Sequence, residues 1–471
     1  MIPMPLTQIA RAVNGHVEGL VDEVLIQRVS TDSRDIVPGD LFVAIRGERH
    51  DGHDHVCEAA GKGAIAALVG SRRWKEVCSK RESPPIPCVI VEDTVGALGR
   101  LATNYRCEVM NAATIVVAVT GSNGKTTTKQ MIDHVLRPSL KGRASPRSFN
   151  NHLGVPLTLL SADWDDRYLV VEVGTNAPGE IAALGAIASP NVVVITSVGE
   201  AHLEGLRSVD EIAIEKVSLL DHVRPGGLAV VNIDRPELRR RLRRPTHARL
   251  MTYGFELGAD HRIEPLSVSL NGTIFSVGGR HRVELCIPGI HHAANATAAV
   301  IVGRWFGVLS EELAGRLNQF TALEGRARMI RVGGVTIVDD AYNANPASMA
   351  GALETMRLVS GGRRVFVMGD MFELGEQSEG LHRRIVELAE RSGLEMLVAV
   401  GERTLAAVER LPESSHSMRV VRCADAMAAS QTLLASLRPG DCVWIKGSRL
   451  MGLDRVVNDL LERFNRRAAV A

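Results

Sequence analysis

The sequence predicts an α/β protein of three domains: a first α/β unit, a central unit with a P-loop-type, mostly parallel sheet, and a doubly wound, Rossmann-like C-terminal unit. Three observations lead there. The chain has 471 residues, about three times the ~150 of an ordinary domain. Short apolar runs alternate with helical stretches, the pattern of right-handed βαβ units around a parallel sheet. A glycine-rich loop also lies between a fully apolar strand and a helix, where a phosphate-binding loop belongs.

Composition narrows the class. Hydrophobic residues make up 45% and charged residues 23%, a globular mixture that can bury large cores. Aromatics are only 4% while glycines number 44, which favours aliphatic α/β layers and tight turns. The 55 Lys+Arg against 54 Asp+Glu leave a net charge of +1, so no global field recruits nucleic acid or an anionic membrane. The start of the chain has neither a basic n-region nor an apolar h-region. The longest uncharged run, residues 181–199, is broken by Ser189, Pro190 and Asn191 and reads as helix, turn and buried strand. Seven scattered cysteines without a C-x-x-C pair predict reduced thiols in a cytoplasm and no Cys-based zinc site.

Element by element, residues 1–110 form the first unit, with strands at 41–45 and 89–91 and a helix at 94–106. The second unit, 111–323, opens on the apolar strand 114–119. Further strands are expected at 168–173, 192–196 and 228–231, with a β-hairpin at 267–285 turning at Asn271 and Gly272. The third unit, 324–471, carries strands at 335–339, 364–368, 396–400 and 442–445, each followed by an amphipathic helix.

The strongest chemical signal is Thr120, Gly121, Ser122, Asn123, Gly124, Lys125, Thr126 and Thr127. Glycines let backbone N–H groups approach phosphate oxygens, and the helix start at 126 adds its positive dipole end. Lys125 is placed for the β- and γ-phosphates of a nucleotide and the Thr126 hydroxyl for Mg²⁺. The strict eight-residue pattern wants glycine where Val119 stands, so this is a shorter Gly-x-x-Gly-Lys-Thr variant. Glu172 ends the next strand, where a carboxylate can reach a metal beside the phosphates or sit in a surface ion pair. His202 follows another strand end and by itself reads as a structural histidine. Lys216 lies on the following helix.

Together these segments resemble the Mur ligases, ATP-dependent amide-forming enzymes of peptidoglycan precursor synthesis. The resemblance runs through nearly the whole chain. Thr31-Asp32-Ser33-Arg34, Pro38 to Ala44 and Asp51-Gly52-His53-Asp54 resemble the family's uridine-substrate domain. The phosphate loop, Glu172, His202, Lys216, Gly289 to Asn295 and Leu323-Glu324-Gly325-Arg326 resemble its central domain and hinge. Asp339-Asp340-Ala341-Tyr342-Asn343-Ala344-Asn345-Pro346 opens a segment like its last domain. Segments around Asn150-Asn151-His152, Thr175-Asn176, His202 and Asn343 to Asn345 point to the members that add D-alanyl-D-alanine. The D-N-P-R segment of the members adding the third residue, diaminopimelate, is absent.

The resemblance implies an acyl-phosphate ligase that joins D-alanyl-D-alanine to UDP-N-acetylmuramoyl-tripeptide in the cytoplasm, with ATP and Mg²⁺ and as a monomer. It implies Glu172, His202 and a carbamylated Lys216 as metal ligands with Thr126; for Lys216 an ion pair with Glu211 or Glu215 is the competing reading. It implies Asn295, Arg326 and Asp340 as nucleotide contacts, the last two brought in by domain closure. Ser33, Arg34, Asn150, Asn151, Thr175, Asn176, Asn343 and Asn345 are the substrate-side candidates. The alternatives are the sister ligase adding the third residue, a folylpolyglutamate-type ligase, and a P-loop regulator that makes no bond.

Three other signals are set aside. His50, His53 and His55 suggest a metal, but glycine and acids between them make a substrate-side loop. Seven arginines within 235–249 lack interleaved aromatics and read as a solvated surface. The strand end at Val367-Met368-Gly369-Asp370 has no G-x-G-x-x-G and binds no dinucleotide.

Overall fold

A computed structural model describes residues 1–19, 24–78, 84–243, 247–411 and 418–468. Residues 244–246 of the arginine-rich segment lie outside the described residues. Three sheets carry the three-domain α/β architecture.

The first sheet has five strands in the order His16–Glu18, Cys88–Val91, Ala66–Gly70, Asp40–Val43, Arg28–Ser30. All neighbours are parallel except the edge strand His16–Glu18. The helix Thr94–Asn104 starts at the Asp93 cap, and the chain then widens by one residue per turn over Tyr105–Val109. Two side chains of that wider turn are anchored outside the first unit. The Tyr105 hydroxyl donates to Ala162 O at 2.6 Å, and Arg106 donates to Asn191 Oδ1 at 2.7 Å. Both residues are buried, and both join the first unit to the central one.

The central sheet has nine strands. From one edge they run His281–Leu285, Gly272–Val277, His261–Ser269, Arg249–Gly254, Leu228–Asn232, Val192–Ile195, Ile115–Thr120, Tyr168–Glu172 and Gly142–Ala144. The expected hairpin is therefore two of three antiparallel strands that continue this sheet, because His261–Ser269 pairs in parallel with Arg249–Gly254. Ile115–Thr120 lies in the middle. Val116 and Ala118 face one core, Val117 and Val119 the other. A strand buried on both faces must be apolar at every position, which is why the run is continuous rather than alternating. Each buried valine contributes at most about 1.5–3 kcal/mol of transfer free energy. The helix Lys125–Leu136 covers one face with Met131, Ile132, Val135 and Leu136.

The third sheet has six strands in the order Arg328–Val332, Val335–Asp340, Cys442–Lys446, Arg364–Gly369, Met396–Val400, Arg419–Cys423. Only the first pair is antiparallel. The C-terminal ends of Val335–Asp340, Cys442–Lys446 and Arg364–Gly369 turn toward the central phosphate loop. Ligands bind at such strand ends in open α/β sheets.

Candidate active site

Backbone geometry shapes the phosphate loop first. Gly121 has φ +149° and Gly124 φ +84°. A Cβ on Gly121 would meet Thr196 Oγ1 at 2.0 Å, and one on Gly124 would meet Asn295 Oδ1 at 2.4 Å. Neither position has room for a side chain. The Ser122 N–H donates to Ser197 O and the Asn123 N–H to Ser197 Oγ, both at 2.9 Å, which fixes the loop on the neighbouring strand end. The N–H groups at the helix start, Lys125 to Thr127, have no intrahelical partner by position, and these residues line the cavity.

Lys125 folds back over the loop and donates to Gly121 O at 2.7 Å. Burial lowers its pKa, Glu172 opposes that shift, and Arg326 adds to it. The Arg326 guanidinium donates to Thr126 Oγ1 at 3.3 Å, and Thr126 in turn donates to Glu172 Oε2 at 3.0 Å. Glu172 is buried and also accepts from Asn150 Nδ2 at 3.0 Å, with Lys129 Nζ 3.4 Å away. A hydroxyl and a carboxylate side by side next to a phosphate loop are the hard oxygen donors that suit Mg²⁺, which takes only one or two protein ligands.

Lys216 lies on the helix Val209–Val217 and is 1% exposed. Burial pushes its pKa well down, the Lys125 charge pushes further, and Glu215 only partly opposes them. Among the described residues it has no salt bridge. The ion pair with Glu215 is absent, because Glu215 accepts the N–H groups of Gly179 and Ile181 at 2.8 and 2.7 Å. His202 takes a left-handed conformation, φ +56°, at a cost of about 1–2 kcal/mol. Its Nδ1 lies 2.6 Å from Glu373 Oε2, though off the axis of a good hydrogen bond. Among the described residues no three His, Cys, Asp or Glu side chains converge as a metal nest. His53 of the histidine loop is structural: its Nε2 accepts the Gly70 N–H at 2.8 Å.

The C-terminal unit closes the site. Tyr342 OH donates to Ser148 Oγ at 2.7 Å, and the Asn123 and Asn345 amides exchange bonds of 3.2 and 2.8 Å. Arg326 lies over the Tyr342 ring at 4.0 Å. Arg384 makes a bidentate pair with Glu200 at 2.9 and 2.6 Å. Asp340 is held by Lys446 at 2.8 Å and by Trp444 Nε1 at 3.2 Å. Between the units lies a cavity of about 610 Å³.

Most of the sequence-derived residues meet there. Ser122 to Thr127, Asn150, Asn151, Glu172, Thr175, Asn176, His202, Asn295, Arg326, Asp340, Asn343 and Asn345 line the cavity. Thr120, Gly121 and Lys216 are not among its lining residues. The Asn151 side chain is occupied, since it accepts the Leu153 and Gly154 N–H groups. Ser33 and Arg34 are not at the cavity. Ser33 donates to Glu58 at 3.1 Å, while Arg34, its side chain 84% exposed, pairs with Asp32 at 2.8 Å. Sequence reading missed Lys129, Glu373, Lys446 and Arg449. Lys129 had a signal, standing one helical turn after Lys125. The other three sit at two strand-end connections of the third sheet with no local pattern.

Comparison with known proteins agrees with this architecture. Residues 25–106 match the Mur ligase family catalytic domain, 119–303 the Mur ligase middle domain, and 325–449 the Mur ligase glutamate ligase domain. The UDP-N-acetylmuramoyl-tripeptide–D-alanyl-D-alanine ligase of Bacillus subtilis is 32% identical over 98% of this chain and 99% of its own. That of Escherichia coli is 31% identical over the same shares. A crystal structure of MurF from Acinetobacter baumannii superposes with a TM-score of 0.85 at 30% identity, covering 98% of this chain and 99% of that one. MurF from Thermotoga maritima, solved in complex with ADP, gives 0.80 at 28% identity over 95% and 100%. With all three parts of the architecture matched in order, the chain belongs to the Mur ligase family and is an ATP-dependent amide ligase.

Proposed function

We propose that this enzyme joins D-alanyl-D-alanine to UDP-N-acetylmuramoyl-tripeptide, releasing ADP and phosphate, in cytoplasmic peptidoglycan precursor synthesis. Residues 1–110 hold the uridine substrate, 111–323 bind ATP, and 324–471 bring the dipeptide. The tripeptide's terminal carboxylate attacks the γ-phosphorus of ATP, and the β–γ P–O bond breaks with its electrons leaving on ADP. The dipeptide nitrogen then attacks the acyl carbon, the C–O bond to phosphate breaks, and the nitrogen sheds two protons between ammonium and amide.

One observation supports this most directly. Lys125, Arg326 and the helix start converge on one point beside the Thr126–Glu172 pair. The first step brings a carboxylate against a polyphosphate, so fixed positive charge must already stand there. Mg²⁺ held by Thr126 and Glu172, with His202 and a carbamylated Lys216 at a second position, supplies further charge neutralisation when bound. Lys216 fits that role because burial and the Lys125 charge lower its pKa, which favours the free amine that captures CO₂. Asn295 and Asp340 line the nucleotide side. The interdomain contacts exclude water that would hydrolyse an acyl phosphate.

The test is phosphate release by the full chain. Release is expected only with ATP, UDP-N-acetylmuramoyl-tripeptide and D-alanyl-D-alanine all present. Equal release without the dipeptide, or with diaminopimelate and the UDP-precursor that lacks the third peptide residue, would sink the reading.

A further inference from the structure

The third sheet sends two loops to the cavity from adjacent parallel strands, Arg364–Gly369 and Cys442–Lys446. Ser448 staples them together. Its N–H donates to Asp370 O at 3.0 Å, and its Oγ accepts the Phe372 N–H at 2.9 Å. Each loop carries one charge into the cavity, Glu373 from the first and Arg449 from the second.

These two charges are unlike but do not pair with each other. Among the described residues the only ion-pair partner of Glu373 is His202 of the central unit, and Arg449 makes no salt bridge. The Arg449 guanidinium instead lies 5.4 Å from the Tyr342 ring centroid. Glu373 is held in an unfavourable left-handed conformation, φ +61°. Its carbonyl accepts the Glu204 N–H at 3.1 Å, which pins the loop against the central unit. Strained backbone kept at a cavity wall points to a positioned side chain. Glu373, its side chain 52% exposed, acts on the charge of Lys125, while Arg449 is exposed next to Leu450, which is 84% exposed.

We propose that Glu373 and Arg449 form the seat of the incoming dipeptide, the carboxylate receiving its ammonium and the guanidinium its terminal carboxylate. The inference rests on the ligation reading above and names the subsite within it. A zwitterion bridges two opposite charges that make no salt bridge with each other. Phe372 and Leu450 flank them with the apolar surface that two small methyl groups need. The order of charges also sets direction: the amine end faces the acyl phosphate near Lys125, and the carboxylate end faces outward. Arginine suits that outer end because its fork accepts a carboxylate in two bonds.

Steady-state kinetics on the full chain test the seat with two probes, D-alanyl-D-alanine and its C-terminal amide. Wild type should prefer the free acid by about 10–100-fold in kcat/KM, the value of a charge-assisted pair. Arg449→Ala should raise KM for the free acid by about that factor and abolish the preference, while Arg449→Lys restores part of it. Glu373→Gln should raise KM for both probes about tenfold and leave KM for ATP and the Mg²⁺ activation curve in place. A retained acid-over-amide preference in Arg449→Ala overturns the proposal. So does a Glu373→Gln variant whose defect lies in ATP or Mg²⁺ and not in the dipeptide, since that would be a role exerted through His202. If wild type releases no phosphate with D-alanyl-D-alanine at all, the ligation reading fails instead.

Discussion

The cavity has two walls made in different ways. The central wall is built around one continuous stretch, residues 122–127, with Glu172 and Asn150 beside it. The opposite wall gathers Arg326, Asp340, Tyr342, Glu373, Lys446 and Arg449 from four separate places in the chain. The first wall can form as soon as its own sheet does. The second exists only when the third unit is docked, through contacts such as Asn123 with Asn345 and Tyr342 with Ser148. Phosphate binding is thus a local property, and the completed site is a property of the assembly. Mutations on the two walls should fail differently.

The largest effect is expected on the central wall. Lys125→Ala removes a charge-assisted phosphate contact and should lower the rate of ligation by about 10²–10³-fold with the fold intact. Circular dichroism alongside phosphate-release assays checks it. Near wild-type turnover in a folded variant would remove the phosphate-loop assignment. Lys216→Ala should come close to that loss, and short carboxylic acids in solution should restore part of the activity by occupying the emptied anion position. Full activity in Lys216→Ala or Lys216→Arg ends the carbamate idea, because a guanidinium neither captures CO₂ nor binds a metal.

The docked wall should give smaller losses with a structural signature. Arg326 bridges the units through Thr126 Oγ1 and the Tyr342 ring, so Arg326→Ala should cost about 10–100-fold in kcat/KM. Small-angle scattering should show wild type compacting with ATP and the UDP-substrate and the variant compacting less. An unchanged radius of gyration in wild type, with binding verified by calorimetry, would argue that no closing motion accompanies catalysis.

The contrast between walls also explains what was legible in the sequence. The strand Ile115–Thr120 is buried on both faces, so its apolar run announced it, and the glycines at 121 and 124 followed from the same backbone demands. Several strands gave no such signal. Gly142–Ala144 is three residues long at a sheet edge, and Arg249–Gly254 begins inside the arginine-rich segment. Ala66–Gly70 is small-residue and short. Their strand character comes from pairing with neighbours rather than from local propensity. Glu373 and Arg449 were invisible for a related reason: a charged residue in a loop becomes part of a site only through what the fold sets opposite it. Asp340, by contrast, was reached through resemblance, and the structure surrounds it with Lys446 and Trp444.

The smallest effect concerns the first unit, which contributes neither wall. Ser33 and Arg34 sit in the short turn Ser33–Asp35, capped by Asp32, away from the cavity. Arg34 holds Asp32 ionised, its carboxyl lowered to about 2. The pair is solvent-exposed, so its loss should cost little stability. If residues 1–110 hold the uridine nucleotide, the exposed Arg34 guanidinium can exchange Asp32 for the diphosphate. Arg34→Ala should then raise KM for the UDP-substrate by about 3–10-fold, the value of one solvent-screened charge contact. KM for ATP and for D-alanyl-D-alanine should stay within error, and melting temperature should not move. An effect confined to ATP would overturn the assignment of the first unit, since Arg34 does not line the cavity of the phosphate loop. No effect on any substrate would leave the first unit holding the nucleotide by other residues and strike Arg34 from its contacts.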